Sequence, residues 1–93
     1  MKLVYTDKAI QDLKRLREFI AVYHPAASGK IAAELRSKIE LLPDFPRMGA
    51  PVELAPVPDS IGDMVFGKYV VRYSVHLSVI IILRVWHGLE IER

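Results

Sequence analysis

Between Tyr69 and Val75 apolar and polar positions alternate, with Tyr69, Val71, Tyr73 and Val75 on one parity and Val70, Arg72, Ser74 and His76 on the other. From Val79 to Val85 the chain is apolar on both parities, broken only by Arg84. The residues are nearly all β-branched or aromatic, the types that suit a pleated, half-buried surface. The pattern predicts two strands, Tyr69–Val75 hairpinned onto a central strand Val79–Trp86 that is covered on both faces or flanked on both edges. The connection His76-Leu77-Ser78 carries no Gly or Asn, so its turn type is left open.

Upstream the period changes. Lys2-Leu3-Val4-Tyr5 reads as a short first strand, and Thr6 and Asp7 are good N-cap residues. Ala9, Ile10, Leu13, Leu16, Ile20 and Tyr23 then recur at helical spacing, while Lys8, Gln11, Asp12, Lys14, Arg15 and Glu18 fill the opposite side. A helix from about Asp7 to Tyr23 follows, ended by His24-Pro25 because Pro25 drives His24 out of the helical region. A second helix is predicted from about Ala26 to Leu42, with Ile31, Leu35, Ile39 and Leu42 as its stripe and Ala27 extending it. Gly29 lies inside and costs about 1 kcal/mol relative to Ala unless a neighbour approaches closely there.

Residues 43–62 hold Pro43, Pro46, Pro51, Pro56 and Pro58, and predict a stiff, ordered crossover over one edge of the sheet. Asp63–Phe66 reads as a strand, Gly67-Lys68 as a tight turn, and Leu89–Arg93 as a tail that frays. The order β-α-α-β-β-β predicts an α+β domain spanning residues 1–93. A two-helix hairpin covers one face of a mainly antiparallel four-stranded sheet of order 2-3-4-1, because only the first strand can flank the central one.

Composition narrows the function. The 93 residues include no cysteine, which excludes disulfides, a thiol nucleophile and cysteine-based metal sites. No apolar run reaches about 18 residues and the N-terminus has no signal-like segment, so a cytoplasmic protein is expected. Net charge is +2, distributed as +3 over residues 1–42, −2 over 43–62 and +1 over 63–93. That lacks the dense basic stripe of a strong DNA binder. A hydrophobic fraction of 52% is high for so small a chain, and reserves apolar surface for a protein partner. Nothing has metal-ligand spacing and there is no Gly-rich phosphate loop, so no cofactor is expected.

Several strings then point to a family. They are Ala9-x-x-Asp12-Leu13 with Ile20, Leu41-x-x-x-x-Phe45-Pro46-Arg47-Met48-Gly49, Val65-x-Gly67-x-Tyr69-x-Val71-x-Tyr73 and Ile82-Leu83-Arg84-Val85-Trp86-His87-Gly88. In this order the chain resembles toxins of the RelE/ParE superfamily of type II toxin–antitoxin systems, closer to the ParE branch. The resemblance implies a small growth-inhibiting toxin neutralised by a cognate ParD-like antitoxin. ParE-like members act on DNA gyrase, whereas RelE-like members cut mRNA on the ribosome. The chain departs from the family pattern at Ser60-Ile61-Gly62-Asp63, Leu77-Ser78 and Leu89, and so lacks two basic residues that similar toxins carry.

Candidate residues follow from both lines. Arg72 is either an exposed or carboxylate-paired sheet residue or a contact to phosphate. Arg84, amid apolar neighbours, needs a partner or a route to water. His87 is a general acid or base only if partners converge on it. A ribonuclease would use Arg72, Arg84 and His87; a binding toxin would grip its target with Arg72, Arg84, Trp86 and His87. Glu53 is the one carboxylate in the Pro-rich loop suited to such chemistry, and His24 and His76 have turn-like settings. Leu13, Leu16, Arg17, Ile20, Leu35 and Ile39 are the candidates for an antitoxin groove, the alternative being that they only face the sheet. Three readings are therefore open: a non-enzymatic gyrase-binding toxin, a ribosome-dependent mRNA endoribonuclease, and a degenerate module that binds an antitoxin but poisons nothing.

Overall fold

In the computed structural model, which describes residues 1–52 and 60–88, strand β1 (Lys2–Tyr5) leads into helices α1 (Asp7–Tyr23) and α2 (Ser28–Glu40). Strands β2 (Ala50–Pro51), β3 (Ile61–Phe66), β4 (Tyr69–Val75) and β5 (Val79–His87) complete the fold. The N-cap of α1 is Thr6, whose hydroxyl accepts from the Ala9 amide at 3.0 Å. The expected Ala26–Leu42 helix is shorter at both ends: Ala27 is its N-cap and Leu41 its C-cap. Among the described residues no helix is long and apolar enough to cross a membrane.

The sheet order is β1-β5-β4-β3-β2, with β1 parallel to β5 and the other pairs antiparallel. The predicted neighbours of the central strand are as expected, but the sheet has five strands rather than four. The addition is β2, whose Ala50 and Pro51 pair with Asp63 and Gly62. Pro51 lacks an amide hydrogen and so sits where an edge tolerates it, which hides the strand from a propensity reading. β3 accordingly starts at Ile61, two residues before the expected Asp63. The Gly67 turn is as read, with φ of 57° that favours a residue without Cβ. Pro56, Pro58, Glu53 and the tail Leu89–Arg93 lie outside the described residues.

The core lies between the helices and one sheet face, where Leu16, Ile20 and Ile39 meet Val71, Tyr73 and Ile82. Strand β5 carries a bulge: Arg72 pairs with Arg84 but Tyr73 with Ile82, so Leu83 has no partner on β4. Ile80 and Ile82 face the helices before the bulge, and Val85 and His87 after it. Apolar residues on both parities of β5 therefore record in part a change of phase, where the sequence pattern alone suggested a strand covered on both faces.

Because β1 ends at Tyr5 opposite Ile82, β5 continues with one edge lacking a neighbouring strand. Residues at and near the start of α1 supply the missing partners. The Thr6 amide donates to the Ile82 carbonyl and the Thr6 hydroxyl to the Leu83 carbonyl. The Val85 amide donates to Asp12 Oδ2 at 2.9 Å, and Arg15 Nη2 donates to the Val85 carbonyl at 3.3 Å. Each satisfies a backbone group that burial would otherwise leave unpaired.

Candidate functional site

On the face of the sheet away from the helices, Arg72 and Arg84 are directly opposite each other on β4 and β5. Their guanidinium carbons lie 5.1 Å and 5.2 Å from the centre of the Trp86 ring, so two cations bracket one indole. Trp86 is only 7% exposed. Each arginine also holds a carboxylate. Arg72 makes a two-pronged pair with Asp63 on β3, at 2.8 Å and 2.9 Å. Arg84 reaches around the sheet edge to Asp12 of α1, at 2.7 Å and 3.2 Å.

Asp12 was expected on the polar side of its helix, yet it is 1% exposed. It is kept there by four hydrogen bonds: two from Arg84, one from the Val85 amide and one from Arg15 Nη1 at 2.7 Å. Burial alone pushes its carboxyl up; the hydrogen bonds from Arg84, from the Val85 amide and from Arg15 override that and hold it below the ordinary 3.8. The signal in the sequence was Arg84 itself, a charge in an apolar strand that demanded a counterion.

His87 faces the other way. It follows Trp86 on β5, pairs with Tyr69 across the strands and is 6% exposed on the helix side. Its ring lies 4.9 Å from Phe19 and stands edge-on to Tyr69 at 5.0 Å. The structure thus brings Arg72, Arg84 and Trp86 together and separates His87 from them by the thickness of the sheet. Among the described residues no group of three or more His, Cys, Asp or Glu side chains converges as metal ligands would.

A second feature lies between the helices. All six groove candidates, Leu13, Leu16, Arg17, Ile20, Leu35 and Ile39, line one cavity of about 510 Å³. Leu16, Ile20, Leu35 and Ile39 are buried members of the core that also line the cavity. Tyr5 of β1, Ile10, Lys14, Arg36 and the small residues Gly29, Ala32 and Ala33 complete its walls, and none of the described lining residues is a carboxylate. The pattern missed the small residues because a helix stripe is recognised by its large apolar side chains.

The Pro-rich segment is fastened from inside the core. The Tyr73 hydroxyl donates to the Pro46 carbonyl and accepts from the Gly49 amide, both at 2.8 Å. Burial leads in pushing the Tyr73 hydroxyl pKa above 10.0, so it stays a donor. A Cβ at Gly49 would meet the Tyr73 oxygen at 2.7 Å and the Asp63 backbone at 2.8 Å, and one at Gly62 would meet the same oxygen at 2.9 Å.

Residues 3–92 match the family described as ParE toxin of type II toxin–antitoxin system, parDE. The chain is 28% identical over 92 residues to Toxin RelE2 of Caulobacter vibrioides, with 94% of each sequence covered. Its fold resembles that of a chain in the chromosomal ParDE TA system from P. aeruginosa, with a TM-score of 0.77 and 22% identity, over 94% of this chain and 95% of that one.

Proposed function

The chain belongs to the ParE toxin family of type II toxin–antitoxin systems, and from that premise we propose that it inhibits growth by binding DNA gyrase and is neutralised by a cognate ParD-like antitoxin. The observation that carries a binding toxin over a cleaving one is the split of the would-be nuclease residues. His87 is on the helix side, and both arginines on the other face already hold carboxylates. Acid–base cleavage needs those groups within reach of one substrate atom. What the two arginines leave exposed around the largely covered Trp86 suits a contact to a protein surface, where Arg and Trp dominate binding energy. The gyrase target itself rests on the resemblance to the ParE branch, and a cytoplasmic site of action goes with it. The antitoxin is assigned to the groove between α1 and α2, where an amphipathic helix folding as it binds would cover Ile10 and Leu13.

The test is a gyrase supercoiling assay with purified chain, antitoxin removed. Supercoiling should be lost, and Arg72→Ala or Trp86→Ala should restore it at least tenfold in toxin concentration. The competing reading is a ribosome-dependent mRNA endoribonuclease, to which the name of the Caulobacter relative points. Untouched gyrase with mRNA cut on ribosomes, cleavage being abolished by His87→Gln, would establish that reading instead. Induced expression with no growth arrest would leave the degenerate antitoxin-binding module.

A further inference from the structure

Of the five glycines, four have a reason inside the molecule. Gly67 has a positive φ, and at Gly49, Gly62 and Gly88 an added Cβ would press on the Tyr73 oxygen or on backbone at 3.2 Å or less. Gly29 has neither. It sits in the first turn of α2 with ordinary helical backbone, and a Cβ there would have no atom of the described residues within 4 Å. Its side-chain-free surface opens onto the groove, continued by Ala32 and Ala33 one turn on. Positions three and four apart share a helix face, so these three residues form one shallow hole. Helix propensity disfavours Gly at such a site, and among the described residues no close contact compensates.

We infer that Gly29 is the specificity-determining position of the groove: the hole it makes with Ala32 and Ala33 receives one large apolar side chain of an incoming amphipathic helix. That helix carries carboxylates beside this anchor, because the groove walls present Lys14, Arg17 and Arg36 and no acid among the described residues. The inference rests on the proposed role of the groove as the antitoxin site and names the chemistry of the segment that fills it. A knob seated in a hole of small residues is how packed helices acquire register and partner choice.

The experiment uses the chain reconstituted with its co-expressed antitoxin and measures dissociation by titration, with Gly29→Ala, Gly29→Leu and Ile10→Glu variants. Gly29→Ala should raise the thermal midpoint of the free chain while weakening the complex about tenfold, and Gly29→Leu should weaken it more than 100-fold, both variants keeping the wild-type far-UV circular dichroism. A merely structural glycine would give the opposite sign in the free chain. Wild-type affinity in both Gly29 variants, with Ile10→Glu defective, overturns the inference and leaves the groove assignment standing. Wild-type affinity in all three overturns both. If Gly29→Leu does not fold, the Gly29→Ala pair of measurements decides alone.

Discussion

At the scale of single residues, Asp12 carries the most. It joins the first helix to the edge of the central strand and places Arg84 over Trp86. Replacing it with Asn keeps an acceptor for the Val85 amide but leaves Arg84 and Arg15 without their charge partner. The expected loss is about 3 kcal/mol, at the low end for breaking a buried pair because both arginines keep a route to water. Its pH dependence has a definite sign. The folded carboxyl titrates below 3.8, so the unfolded chain binds the proton first on acidification. The contribution is fully present above the ordinary carboxylate value and is lost as pH falls through the folded one. The gap in urea midpoint between wild type and Asp12→Asn should therefore be widest near neutrality and close below about pH 4. A gap that stays constant down to pH 3 would show that the carboxylate charge is not what stabilises the fold.

At the scale of elements, the link between β4 and the Pro-rich segment makes a prediction that separates two glycines. At Gly62 the atoms nearest an added methyl belong to the Tyr73 ring and hydroxyl, whereas at Gly49 they include the Asp63 backbone. Either Gly→Ala change should cost about 1–3 kcal/mol by overpacking. Tyr73→Phe, itself destabilising through two lost hydrogen bonds, should relieve part of the Gly62→Ala penalty and little of the Gly49→Ala penalty, as read by double-mutant cycles in chemical denaturation. The same elements show what could be read from the chain. Both helices, the β3–β4 hairpin and the place of the first strand beside the central one were legible, because amphipathic period, a Gly turn and one unpaired flank of the central strand each leave a pattern; that β1 runs parallel was not read. β2 was not, since two residues including Pro51 carry no strand signal. Neither was the phase change at Leu83, because a bulge in a wholly apolar run alters no polarity. Asp12 was misread as solvated for a related reason: helical period assigns a face to each residue but does not know that β5 outruns β1. Of the candidate site, the Arg72–Arg84–Trp86 grouping follows from strand pairing, while the separation of His87 follows from simple alternation between neighbours on β5.

At the scale of the whole molecule, two surfaces are kept apart. The groove lies between the helices, and the Arg-bracketed tryptophan lies across the sheet from them. Binding at one does not require atoms of the other. Arg72→Ala should weaken inhibition of gyrase at least tenfold with antitoxin affinity within twofold of wild type, and Ile10→Glu should do the reverse, both measured on the purified chain. Equal loss of both activities in either variant would mean that the surfaces overlap. Trp86, the single tryptophan, reports directly: its emission should shift when the target binds. The separation depends on the unpartnered Leu83. Every residue after it owes its inside or outside address to the strand's skipping that one surplus unit, so a chain lacking position 83 keeps those addresses and loses only the kink. Were position 83 instead drawn into the ladder opposite Arg72, the final segment would turn over like a glove, sending tryptophan into the oil and histidine into the rain.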